Sequence, residues 1–105
     1  MATIRNAKQT IRRLVDDLRR VGYKPSRAIL FGSVAKGIST PLSDIDVAIW
    51  DDRFIGSAPF DYENILPVLR NYPRLELHTF PSREDAQTNP FIEEIEKRGI
   101  EIDLN

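Results

Sequence analysis

Cysteine is absent from the 105 residues and histidine occurs once. Disulfide staples and thiolate metal sites are therefore excluded, and a zinc centre would have to rely on carboxylates. This usage fits a reducing compartment, and a cytoplasmic location is the expectation. No apolar run approaches the roughly 20 residues of a membrane span. The opening Met1-Ala2-Thr3-Ile4-Arg5-Asn6-Ala7-Lys8 has no stretch of the kind a secretory leader needs. Internal repeats, low-complexity tracts and linkers are missing as well. The length suits one domain over residues 1–105 and leaves no room for a separate substrate-recognition domain of ordinary size. A chain of this size buries roughly 60–70% of its unfolded surface, enough to fold without staples.

A formal net charge of −1 conceals an asymmetry. Residues 1–27 hold eight Lys or Arg against Asp16 and Asp17, whereas the remainder holds seven bases against fourteen acids. The basic positions Arg5, Lys8, Arg12, Arg13, Arg19 and Arg20 could form a solvated helix face or touch nucleic acid or an acidic partner. Without interleaved aromatics they specify no sequence-reading module, so direct nucleic-acid binding is not expected.

Ile11, Leu14, Val15, Leu18 and Val21 follow the i, i+3, i+4, i+7 rhythm of an amphipathic helix, and Gly22 supplies a left-handed stop. This predicts a helix over Thr3–Val21. After Lys24-Pro25-Ser26, the short apolar run Ala28-Ile29-Leu30-Phe31 reads as a strand buried on both faces. Asp46–Trp50 reads as a second strand, with Ile45, Val47 and Ile49 on one face and Asp44, Asp46, Ala48 and Trp50 on the other. A loop over Asp51–Pro59 leads to a helix over Asp61–Asn71 that Pro67 perturbs. Leu75–Phe80 alternates as a third strand with Glu76, His78 and Phe80 on a shared face. Asn89–Gly99 is a helix with a capping residue, an initial proline, early acids, late bases and a terminal glycine. Ile100-Glu101-Ile102 completes the order α-β-β-α-β-α-β.

Asp44 and Asp46 share a strand face about 6–7 Å apart, where two like charges repel by roughly 2–3 kcal/mol at an effective dielectric near 20. Such a pair invites a divalent cation, and magnesium takes one or two protein oxygens and completes its shell with water and phosphate. The plainer alternative is a turn capped by Ser43-Asp44 with Asp46 facing solvent. Gly32-Ser33 directly after a buried strand, with Gly37 beyond, would let backbone N–H groups approach a phosphate, while the Ser33 hydroxyl and the Lys36 ammonium add contacts. An ordinary strand-to-helix turn that needs glycine explains the same residues. Glu76 would join the aspartates if the third strand lies beside the second, as a metal ligand or as base for an attacking hydroxyl. Otherwise it is a solvent-facing edge residue. His78 is either packed or solvated, or touches phosphate or substrate, and Trp50 either packs or stacks a base.

The composite of Gly32-Ser33, Lys36-Gly37 and Ser43-Asp44-Ile45-Asp46 resembles the signature of the DNA polymerase beta-like nucleotidyltransferase superfamily. The small size is similar to its minimal nucleotidyltransferase (MNT) branch, and the resemblance spans roughly residues 10–80. It implies an α+β fold with a mixed four-stranded sheet flanked by helices. It implies magnesium-dependent transfer of a nucleoside monophosphate, AMP from ATP, to a hydroxyl with release of pyrophosphate. In that scheme Gly32, Ser33, Lys36 and Gly37 hold the triphosphate, Asp44 and Asp46 bind two Mg2+ ions, and Glu76 takes the third acidic position, where many relatives have aspartate. Larger relatives carry a second domain that selects the acceptor, so here the acceptor is expected from outside. Minimal relatives are frequently paired with a helical HEPN-type toxin and act as its antitoxin, in some cases by attaching AMP to a tyrosine. The resemblance thus implies a protein-modifying antitoxin. A non-catalytic antitoxin and a small-molecule, aminoglycoside-type transferase are the rival expectations.

Overall fold

The computed structural model describes residues 3–40 and 43–104, so Pro41 and Leu42, within the run that joins the glycine turn to the aspartates, lie outside the described residues. Helix α1 spans Ile4–Arg20. The Thr3 hydroxyl accepts from the Asn6 N–H at 3.1 Å to cap its start, and Gly22 at φ 95° ends it. Its buried stripe, Ala7, Ile11, Leu14, Val15 and Leu18, is the one the periodicity predicts.

The remaining elements are β1 (Arg27–Phe31), α2 (Gly32–Ala35), β2 (Ile45–Trp50), α3 (Ala58–Glu63), α4 (Leu66–Leu69), β3 (Leu75–Phe80), α5 (Pro90–Arg98) and β4 (Ile100–Glu101). The strands form one mixed sheet in the order β3-β2-β1-β4. Strand β1 is antiparallel to both β2 and β4, and β2 is parallel to β3. A parallel pair needs a crossover, and residues 51–74 with α3 and α4 provide it.

Alternation along β2 separates two apolar layers. Ile45, Val47 and Ile49 pack into the core that contains the α1 stripe, Phe54, Ile65 and Leu77. On the opposite face Ala48 and Trp50 pack with Ile29, Phe80, Ile92 and Ile95, which seats α5 on that side. No helix among the described residues is long and apolar enough to cross a membrane.

Three elements differ from expectation. The helix expected over Asp61–Asn71 is two pieces, because Ile65 leaves the helical region at φ −118°, ψ 8° and Pro67 falls in the opening turn of α4. A proline has no N–H to donate and is tolerated only at such a start. The glycine turn continues into the one-turn helix α2, which the expected order lacks. Finally, β4 stops at Glu101, although the Ile102 N–H still reaches the Ala28 carbonyl at 2.9 Å.

Candidate active site

Strand register places Phe31 opposite Asp46 and Asp46 opposite Glu76, one row across three strands. The next row on that face is Ile29, Ala48 and His78. Asp46 and Glu76 are therefore neighbours because β2 and β3 are parallel and in this register, and His78 follows because side chains two apart share a face. One carboxylate oxygen from each acid and one His78 ring nitrogen lie within 4.8 Å of one another.

Asp46 sits against the turn at the end of β1. Gly32 has φ 76°, and a Cβ there would lie 3.0 Å from the Asp46 Cγ and closer still to Oδ2. Glycine is thus required twice over, for its backbone angle and for the approach of the carboxylate. Burial pushes the Asp46 carboxyl up from 3.8 to about 6, and hydrogen bonding with Glu76 and the charges of Glu76 and Asp44 push the same way. Asp44 itself is exposed, contributes this repulsion, and stands outside the 4.8 Å group.

The Nε2 of His78 is 3.8 Å from Glu76 Oε1. Its ring meets Phe31 and Phe91 edge-on, with centroids 5.1 and 5.6 Å away. Burial lowers its pKa, partly opposed by Glu76, so the imidazole is held toward the neutral form.

Within the turn, the N–H groups of Lys36, Gly37 and Ile38 donate to the carbonyls of Gly32, Val34 and Ser33. They are spent on local structure, and the Ser33 and Lys36 side chains belong to the same turn. Gly37, at φ 73°, has open space around it. A cavity of about 280 Å3 is lined by Phe31, Gly32, Lys36, Phe91 and Arg98, and a second of about 370 Å3 by Gly56, Tyr62, Glu76, His78 and Phe91. Phe91, 43% exposed, borders both.

Of the two roles left open for Trp50 the structure takes packing, and it adds a role for the first helix. Trp50 is 2% exposed, stacks on Phe80 and donates through Nε1 to the Glu84 carbonyl at 2.9 Å, so it packs and has no free face for a base. Part of the basic face of α1 serves the chain itself, since Arg12 and Arg19 donate to the Asp103 and Leu104 carbonyls.

Sequence reasoning overlooked Asp61. Its buried carboxylate accepts from the N–H groups of Ile55, Gly56 and Ser57 and from the Thr79 hydroxyl, tying the wall of the larger cavity to β3. No local pattern announced it. The role of His78 beside Glu76 was signalled by their shared alternation parity.

A mixed sheet flanked by helices, a glycine turn pressed on an aspartate of the next strand, and a second acid on the parallel neighbour define an α+β domain with a nucleotidyltransferase fold. The chain matches the family model of the nucleotidyltransferase domain over residues 11–104, and it belongs to that family. No curated protein matches it. The match runs past the segment that carries the motif resemblance and takes in α5 and β4. Its class of chemistry is nucleotidyl transfer, which generally uses a nucleoside triphosphate and a divalent metal. The residues present fit such a cation: two carboxylates and an imidazole converge, and a positive charge would offset the burial, and the added charges of Glu76 and Asp44, that lift Asp46.

Proposed function

We propose that the protein transfers a nucleoside monophosphate, AMP from ATP, to a hydroxyl of a partner protein, and that it serves as the antitoxin of a pair whose other member is a helical HEPN-type toxin. The observation that supports the chemistry is the pairing of Asp46 with Glu76 beside the Gly32 turn. Gly32 and Ser33 lie where a triphosphate would meet first-turn N–H groups, and the Lys36 ammonium adds positive charge. Asp46 and Glu76, with Asp44 close by, would hold the cation. When bound, a divalent ion such as Mg2+ neutralises phosphate oxygens and polarises the α-phosphorus. The partner hydroxyl oxygen bonds to that phosphorus, the bond to the β-phosphate oxygen breaks, and pyrophosphate leaves. The hydroxyl proton passes to a carboxylate, for which the exposed Glu76 is placed.

The test is transfer of label from ATP to the partner in the presence of Mg2+. Wild type should label it, Asp46→Ala should not, and Asp44→Ala should label it more weakly than wild type. No label with wild type, or equal label with the variants, overturns the catalytic reading.

A binding-only antitoxin is the second reading, favoured by the exposed apolar side chains Ile38, Ile55 and Phe60. Under it, the double aspartate variant still neutralises the toxin while Ile55→Asp and Phe60→Asp do not.

A further inference from the structure

The cation site that the functional reading assigns to Asp46 and Glu76 has a nitrogen donor beside it that neither the motif nor the proposed chemistry uses. His78 lies two residues beyond Glu76 on β3, on the same sheet face, and its ring nitrogen belongs to the 4.8 Å group. The edge contacts with Phe31 and Phe91 hold the ring while Nε2 lies toward Glu76.

We propose that His78 is a nitrogen ligand to the cation held by Asp46 and Glu76, and that it gives the site a preference for first-row transition cations, Mn2+ through Zn2+, over Mg2+. This rests on the reading of Asp46 and Glu76 as a cation site. Magnesium is a hard ion that favours oxygen donors and dehydrates reluctantly, so an imidazole adds little to its binding. First-row transition ions accept imidazole together with carboxylate, and their affinity for mixed nitrogen and oxygen donors rises from Mn2+ to Cu2+ and falls back at Zn2+. His78 thereby sets which ion the site selects, a separate matter from whether the site binds one at all.

The experiment is cation binding to the full chain without nucleotide. Mn2+ bound to wild type should show nitrogen-14 modulation in pulsed electron paramagnetic resonance. In calorimetric titrations, His78→Gln should lose about tenfold or more in Co2+ affinity while its Mg2+ affinity stays within about twofold. The nitrogen signal is read on wild type, so it stands even if the variant folds poorly, and circular dichroism checks the variant. If Mn2+ binds in an Asp46-dependent way with no nitrogen modulation, or if His78→Gln holds Co2+ as tightly as wild type, the assignment of His78 is overturned and the cation site stands. If neither Co2+ nor Mg2+ binds, or if Asp46→Asn binds both unchanged, the cation site is overturned as well.

Discussion

Asp46 and Glu76 are direct register partners on two parallel strands, so their carboxylates face the same side of the sheet one strand spacing apart. Burial disfavours ionisation of Asp46, and the neighbouring Glu76 adds to it. The pair is a place of stored repulsion that a cation or a shared proton relieves. Its behaviour with pH, substitution and metal can be anticipated.

In metal-free protein, Asp46 holds its proton more tightly when folded, at about 6, than at its ordinary 3.8. The folded state therefore binds more protons between these values, and stability falls as pH rises through that window. The contribution is complete below the lower value and gone above the upper one. Asp46→Asn should flatten this part of the profile. Urea midpoints of wild type and variant, measured with a chelator between pH 4 and 7, check it; parallel profiles would refute it.

Gly32→Ala should destabilise the fold by about 1–3 kcal/mol and displace the Asp46 carboxylate, because the added methyl meets it and the backbone stands at φ 76°. Gly37→Ala at φ 73° meets only the backbone cost of about 1–2 kcal/mol, since space there is open. Cation affinity by calorimetry separates the two. It should fall in the first variant and hold in the second.

Asp61→Ala removes the acceptor of three backbone N–H groups and the Thr79 hydroxyl from a site that is 5% exposed. A loss of about 2–4 kcal/mol is expected, with faster amide exchange at Ile55, Gly56 and Ser57. Thr79→Val, which deletes a single partner, should cost about 1 kcal/mol. Chemical denaturation that ranks the two equally would contradict this account.

Asp46→Asn should lower nucleotidyl transfer by about 100-fold or more, in the range seen when a charge-stabilising group is lost. Asp44→Asn should cost less, since Asp44 is exposed and lies outside the tight group. Initial rates of pyrophosphate release at saturating ATP measure the difference. Equal losses would place Asp44 on a par with Asp46.

Several features were open to reading along the chain because their causes are local. The α1 stripe follows from spacing, the start of α5 from Asn89-Pro90, and the split faces of β2 from alternation. The breaking of the middle helix was less visible: Pro67 signalled a disturbance, but whether it begins a helix or bends one depends on where Ile65 and Val68 find core contacts. The role of Asp61 had no local sign, since the N–H groups it satisfies become its partners only once the loop closes.

By itself the sequence determined α1, α5, the strands, the glycine turn and the face of β2 that carries Asp46, because backbone preference and side-chain periodicity act over a few residues. Tertiary structure alone decided that Glu76 and His78 meet Asp46, that Trp50 is enclosed, and that Arg12 and Arg19 bind the chain's own C-terminal carbonyls. Which strands become neighbours, and in what register, is settled by burying α1 and α5 on opposite faces of one sheet. That condition involves the whole core at once, and no short segment carries it.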